Sequence, residues 1–219
     1  MSDPFILDTE TAGLQGGVCE LAFLRVDYDL NILEEFCVRV NPERPISPQA
    51  TAIHGISDAD VADCPTLAQV TAGIARFVDP VTYIGHNCSF DQRMTDPFIR
   101  PLLSMCTLAL AREFITGTTN NKLATLQAEL GLPVQKSHSA LGDVHTTRDL
   151  LLHILPIAGV DFRTLLARAN KPKLIAKLPY GKYKGITILR VPKDYRDWML
   201  EQSDIPRDVR FTLEKFRNL

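Results

Sequence analysis

The hydrophobic pattern opens with a short apolar run, Pro4 to Asp8, that ends in charge. Val18 to Tyr28 and Asn31 to Val40 follow as two β-rich runs joined by a tight Asp29-Leu30-Asn31 turn, which predicts a three-stranded antiparallel start. Prolines and small polar residues dominate Pro42 to Pro65, where short helical turns are expected. Leu67 to Phe77 returns to apolar residues at helical spacing, and Val81 to Gly85 reads as a buried strand. Asn87 follows closely and is of a good N-cap type for a helix running to about Phe98. Further helices are predicted around Ala109, over Leu123 to Leu130 and over Leu141 to Leu155. Strands first, then strands alternating with helices, make an α/β protein with a mixed sheet covered by helices. Asn170-Lys-Pro-Lys reads as a linker, and Tyr180 to Leu219 as a small α+β appendix with a glycine-containing turn, one strand (Gly185 to Val191) and two helices. The chain is therefore expected to divide into 1–170 and 171–219.

Composition narrows the class. With 219 residues, 45% hydrophobic and 23% charged, the chain has enough apolar content for a real core, which excludes a disordered protein. Five cysteines, odd in number, scattered and never paired as CxxC, suggest neither a disulfide framework nor a zinc ribbon, so a reducing cytosol fits. Met1 to Phe5 lacks a basic segment, and the longest apolar run, Leu150 to Val160, is interrupted by His153 and Pro156. Neither a signal peptide nor a membrane span is expected, and the protein is placed in the cytoplasm. The net charge of -2 hides an asymmetry: residues 1–159 hold 10 Lys+Arg against 19 Asp+Glu, and residues 160–219 hold 14 against 7. An acidic front with a basic tail suits acids that bind metal and a tail that meets a polyanion.

Candidate chemistry begins at Asp8 and Glu10, two apart at the end of the first strand, so that both point to one face. Side by side they repel, and a divalent cation such as Mg²⁺ or Mn²⁺ would relieve them; a solvated acidic turn is the plain alternative. Asp143 shares a helical stripe with Leu150 and Ile154 and so faces inward, where a carboxylate needs a partner. Asp91 falls in the first turn of the helix after Asn87, where the helix dipole alone would favour it. His138 lies in a Lys136-Ser-His-Ser loop about a turn before the Asp143 helix, and an imidazole can serve as a general base at neutral pH. His145, Asp149 and His153 have a spacing that could hold zinc, but they lie opposite the Val144, Leu151 and Leu155 stripe and read as a solvated face. Glu20, among apolar neighbours, needs a partner that the sequence does not name.

Asp8-Thr-Glu-Thr-Ala-Gly-Leu, then His86-Asn-Cys-Ser-Phe-Asp91, then His138-Ser-Ala-Leu-Gly-Asp143 resemble, in order and spacing, the three motifs of the DEDDh exonuclease superfamily. Ile53-His54-Gly55-Ile56 looks like a further family segment, and the resemblance covers roughly residues 4 to 156. A sister class has tyrosine four before the last aspartate; here Ser139 stands there, which indicates the histidine class. The tail, Leu178-Pro-Tyr-Gly-Lys-Tyr-Lys-Gly followed by Val191-Pro-Lys-Asp-Tyr and Trp198, is similar to that of the exonuclease X family.

The resemblance implies a ribonuclease H-like, five-stranded mixed sheet flanked by helices. It implies a 3′→5′ exodeoxyribonuclease, acting in DNA repair by a two-metal-ion mechanism and releasing nucleoside 5′-monophosphates. Asp8, Glu10, Asp91 and Asp143 would bind two divalent cations, with His138 as base. Thr11, Gly13 and Leu14 would cradle the terminal nucleotide or form an ordinary strand-to-loop turn; Asn87 and Phe90 would shape and pack the start of their helix as well as line the substrate, and His54 would reach the substrate or pack within its loop. The partner would be DNA, with single-stranded or duplex 3′ ends. In the tail, Lys182, Lys184, Arg190 and Lys193 interleave with Tyr180, Tyr183, Tyr195 and Trp198, a pattern that suits DNA holding, a packed cap with aromatic core, or a dimer contact. Two alternatives stay open: an RNA-trimming exonuclease of the same superfamily, and a polymerase-accessory nucleic-acid-binding module without activity.

Overall fold

The structure is a computed structural model that describes residues 3–78, 82–99, 103–169, 171–172, 174–202 and 205–217. The chain forms two compact units, Met1–Asn170 and Lys171–Leu219, each considered by itself. In the first, strands β1 (Phe5–Thr11), β2 (Val18–Val26) and β3 (Ile32–Arg39) precede helices α1 (Pro48–His54), α2 (Asp58–Val61) and α3 (Leu67–Val78). Then come β4 (Thr82–Gly85), α4 (Cys88–Thr95), β5 (Leu103–Cys106), α5 (Thr107–Phe114), α6 (Leu123–Glu129), α7 (Ala140–Ala158) and α8 (Phe162–Ala169). The sheet order is β3-β2-β1-β4-β5, with β1–β2 and β2–β3 antiparallel and β1–β4 and β4–β5 parallel. This is the mixed five-stranded sheet flanked by helices that the sequence led us to expect.

The period-two alternation of strands divides the core. Phe5, Leu7, Leu21 and Phe23 pack with α3 residues Leu67, Val70 and Ile74 on one face. Ile6, Ala22, Leu24 and Val26 pack with Val144, Leu150, Leu151 and Ile154 of α7 on the other. Central β1 is thereby covered on both sides, and edge strand β3 is half open.

Several local expectations are corrected. The α4 helix stops at Thr95 and not near Phe98, because Asp96 precedes Pro97 and takes the extended conformation that a following proline favours. Asn87 occupies the cap position but makes no side-chain cap bond; its backbone is left-handed, at φ 76 and ψ 46. Strand β5 and helix α8 were not located from the sequence. Val81, where β4 was expected to begin, and Asn170 and Lys173 of the expected linker lie outside the described residues.

In the second unit the expected strand Gly185 to Val191 is absent. A 3₁₀ turn, Ile188–Arg190, precedes α9 (Lys193–Glu201) and α10 (Arg207–Lys215), and the only β pairing among the described residues there is the isolated Lys177–Thr187 bridge. The β-branched residues misled because burial follows a spacing of three: Ile188 and Val191 are buried, together with Leu178, Met199, Val209 and Leu213. The appendix is thus helical and not α+β. No single helix among the described residues is long and apolar enough to cross a membrane.

Candidate active site

Along β1, Asp8 and Glu10 point to the side covered by α7, and Thr9 between them points to the side of α4. Helix α7 packs across β1 and β2 and brings Asp143 to the same place. One carboxylate oxygen from each of Asp8, Glu10 and Asp143 lies within 4.8 Å of the others. Asp91 arrives from α4 and is buried; its Oδ1 accepts hydrogen bonds from the Thr9 backbone N–H at 3.1 Å and from Thr9 Oγ1 at 2.7 Å. It stands outside the group of three, yet its charge reaches Asp8.

The electrostatic consequence is crowding. Burial, then the charges of Asp91, Asp143, Glu10 and Glu20, hold the Asp8 carboxyl well above its ordinary range. Glu10 is pushed up to about 8, first by burial and then by Asp143 and Glu20, with Arg39 opposing. Asp91 and Asp143 each rise to about 6, chiefly through burial; the Thr9 hydrogen bonds oppose the rise at Asp91, and His138 opposes it at Asp143. A set of anionic oxygens that repel one another and cannot be fully hydrated fits a hard divalent cation.

Glu20 obtains the partners that the sequence left unnamed. Its Oε1 lies 3.0 Å from Arg39 Nε, and its Oε2 accepts from the Ala140 backbone N–H at 2.8 Å, so it ties the start of α7 to β2. Glu10, Glu20 and Arg39 face one another across three strands. That row was not readable from the turn: Asp29-Leu30-Asn31 sets Val26 opposite Ile32, and a register shift between Arg25 and Val26 then brings Arg39, rather than Val38, opposite Glu20.

His138 is exposed and left-handed, at φ 57, just before α7. Its imidazole and its backbone N–H both act on the Asp143 carboxylate. Ser139 is the true helix cap, its Oγ accepting from the Gly142 N–H at 3.2 Å and donating to the Lys136 carbonyl at 3.1 Å. Gly142 is compelled: a Cβ there would stand 2.0 Å from the Lys136 carbonyl oxygen. Sequence reasoning gave neither residue its role at the helix start, although a serine just ahead of an apolar helix is a cap signal.

Beside the acids runs an open groove of 930 Å³, lined among others by Glu10, Thr11, Gly13, Leu14, His54 and Phe90. Leu14, 84% exposed, and Ile53, 58% exposed, leave bare aliphatic surface on its walls. Thr11 Oγ1 donates to the Gly13 carbonyl at 3.1 Å, which turns the hydroxyl into its own loop. A Cβ on Gly13 would meet only Ser47 Oγ, at 3.8 Å, so the fold itself does not demand glycine there.

His54 is buried with both ring nitrogens committed: Nδ1 accepts from the Ile56 N–H at 3.0 Å and Nε2 donates to the Thr11 carbonyl at 3.1 Å. It is thus neutral and positions Thr11, and burial holds its pKa low. Asn87 is exposed and does not line the groove. The His145, Asp149, His153 spacing gathers no site among the described residues; His145 Nε2 lies 2.7 Å from Glu35, and Asp149 pairs with Arg148 at 3.1 Å.

This geometry meets the comparisons with known proteins. The family model described as Exonuclease matches residues 5–151. A second model, for a quorum-sensing-regulated virulence factor, matches residues 171–208. Exodeoxyribonuclease 10 of Escherichia coli strain K12 is 34% identical over 219 residues, covering 96% of this chain and 97% of that protein. Among solved structures, Exonuclease X in complex with 5′ overhanging duplex DNA is 36% identical with a TM-score of 0.62, covering 74% of this chain and 97% of that one. The nuclease domain of 3′hExo, a DEDDh family member bound to rAMP, shares the fold at 16% identity, with a TM-score of 0.56 and coverage of 70% and 92%. Exonucleases of this family use divalent metal ions, in keeping with the acidic cluster. With its carboxylates on β1, α4 and α7 and a histidine beside the last of them, the chain belongs to the exonuclease family, in its DEDDh branch.

Proposed function

We propose that this chain is a cytoplasmic 3′→5′ exodeoxyribonuclease that hydrolyses phosphodiester bonds at single-stranded or duplex DNA 3′ ends, releases nucleoside 5′-monophosphates and serves DNA repair. The observation that carries this reading is the convergence of Asp8, Glu10 and Asp143 beside an open groove. Its likeness to Exodeoxyribonuclease 10 over nearly the whole of both chains supports DNA as the substrate.

Asp8, Glu10, Asp91 and Asp143 would hold two divalent cations, Mg²⁺ or Mn²⁺, which when bound supply positive charge to the scissile phosphate and to the attacking water. The chain's own residues do the rest. Strand β1 and helix α7 keep the carboxylates rigid, and Thr9 fixes Asp91. Leu14, Ile53 and Phe90 give the terminal base apolar surface, and the Thr11–Gly13 turn leaves room for its sugar. The His138 imidazole takes the proton of the attacking water. The water oxygen bonds to phosphorus, the bond to the 3′ oxygen breaks, and that oxygen collects a proton from solvent.

The test is digestion of 5′-labelled single-stranded DNA with Mg²⁺, comparing the parent with His138→Ala. The expected result is a ladder shortening from the 3′ end that is lost in the variant. Equal digestion by both would remove His138 as base, and binding without digestion by the parent would overturn the enzymatic reading.

A further inference from the structure

The second unit, Lys171–Leu219, holds 12 Lys+Arg against 6 Asp+Glu. Its core closes with aliphatic side chains, Leu178, Ile188, Val191, Met199, Val209 and Leu213 among them. The aromatic residues therefore do not form its interior. Tyr183 and Tyr195 pack against that core from outside, with their rings edge-to-face at 4.8 Å, and Trp198 continues the row 5.2 Å from Tyr195. Half of Trp198 stays open to solvent. An indole with an apolar body left bare beside a finished core marks a contact surface.

The exposed indole borders a hollow of 250 Å³ whose walls include Tyr180, Tyr195, Trp198, Met199 and Ile205. Whole small-molecule sites occupy about 300–1,000 Å³, so this one suits a single flat ring system. Its construction is fixed. The Lys182 backbone N–H donates to Tyr195 Oη at 3.2 Å. Gly181 sits at φ +79 where a Cβ would stand 2.6 Å from that same oxygen, so the loop can lie on the ring only with glycine there.

The loop that crosses Tyr195 supplies charge. Lys182 and Lys184 are exposed, and the Lys182 ammonium lies 5.4 Å from the centre of the Tyr183 ring. An aromatic hollow by itself could also take a cation or an acidic peptide. The excess of basic residues disfavours a cation, and a flat hollow beside lysines suits a planar ring carried on a phosphate chain. We propose that the hollow beside Trp198 receives one unpaired base of a single-stranded nucleic acid, with Lys182 and Lys184 on the neighbouring phosphates. This site is separate in kind from the acidic cluster and does not depend on the chain being an active exonuclease.

Trp198 is the only tryptophan of the chain, so its fluorescence reads this site alone. The full chain is titrated with oligothymidylate in EDTA, which keeps the strand intact, while fluorescence anisotropy of an end-labelled oligothymidylate records total binding. Saturable quenching of Trp198 is expected. In the Lys182→Ala, Lys184→Ala double variant its midpoint should move to weaker binding, and the salt slope should fall by about 1.4 if each lysine meets one phosphate. Trp198→Ala should weaken binding by roughly 5- to 160-fold, the range set by loss of one base stack. Binding seen by anisotropy with Trp198 emission unchanged would overturn the proposal, as would no binding at all. Quenching by polyglutamate equal to that by oligothymidylate would overturn it in favour of an acidic protein. Failure of the exonuclease reading is seen separately, as absent digestion in Mg²⁺.

Discussion

In residues 1–170 the carboxylates that matter are drawn into the protein, whereas in residues 171–219 the lysines of the Gly181–Gly185 loop stay in water. The first arrangement costs stability. Asp8, Glu10, Asp91 and Asp143 come from a strand and two helices that cannot swing apart, and all four are held above their ordinary pKa range. The second costs little, since exposed ammonium groups keep their hydration. The difference matches two tasks. Bond cleavage requires charges fixed against one phosphate, and holding a strand requires only charges along its path. Substitutions of the four carboxylates should act all or none, and those of the loop lysines should act by degrees.

The largest effect is expected at Asp8. Asp8→Asn should lower the cleavage rate on the order of 10³-fold or more, as losing one member of a catalytic unit does. In EDTA the same substitution should raise the melting temperature, because it removes one of several repelling carboxylates. A fall would show that Asp8 is satisfied by the protein alone. The pH dependence follows from the same crowding. The folded state binds these protons more tightly than the unfolded state, so the stabilisation is full below the ordinary carboxylate range and is lost as pH rises. In EDTA, stability should decline through pH about 6, where Asp91 and Asp143 titrate, to about 8, where Glu10 does. Added Mg²⁺ should restore more at pH 8 than at pH 5; a metal increment independent of pH would count against cation binding at these groups.

The supports of α7 come next. Gly142→Ala would ordinarily favour a helix, but here the new methyl meets the Lys136 carbonyl oxygen at 2.0 Å. A loss of about 1–3 kcal/mol is expected from overpacking, with a falling turnover rate as the His138 loop lifts. Unchanged stability and rate would mean that the loop is not anchored there. Glu20→Gln should cost about 1 kcal/mol in Mg²⁺, since it weakens a hydrogen bond to α7 and an ion pair whose arginine is part-exposed. Because Glu20 does not line the groove, kcat should fall and KM stay; a raised KM would place Glu20 against the substrate.

What could be read from the sequence followed from periodicity. The apolar run into Asp8 and the β-rich run from Val18 gave strands, and the Asp8, Glu10 pair on one strand face and the inward stripe of Asp143 gave the acidic cluster. Strand β5 was missed because in Leu103–Cys106 only Met105 is fully buried, so four residues carry little pattern. The strand expected at Gly185 to Val191 failed for the opposite reason: among the described residues its β-branched stretch finds only the single Lys177–Thr187 bridge, from which no ladder extends. The sequence left His54 open between the substrate and its own loop, because an unpaired histidine and a backbone-bound one are identical there. Only the positions of Ile56 N and Thr11 O distinguish them.

The smallest effect is expected at Asn87, and it separates the sequence reading from the structural one. As a side-chain cap, asparagine would contribute about 1 kcal/mol to α4 relative to alanine, whereas glycine, itself a tolerated cap residue, would forfeit only a few tenths of that. In the structure the side chain makes no cap bond and the backbone is left-handed, a conformation that asparagine tolerates and glycine adopts freely. For Asn87→Gly the gain in the folded conformation and the added freedom of the unfolded chain nearly cancel, so thermal denaturation should move little in either direction. Since Asn87 is not part of the groove wall, KM for a DNA end should also stay near that of the parent. A raised KM at unchanged stability would bring Asn87 back to the substrate.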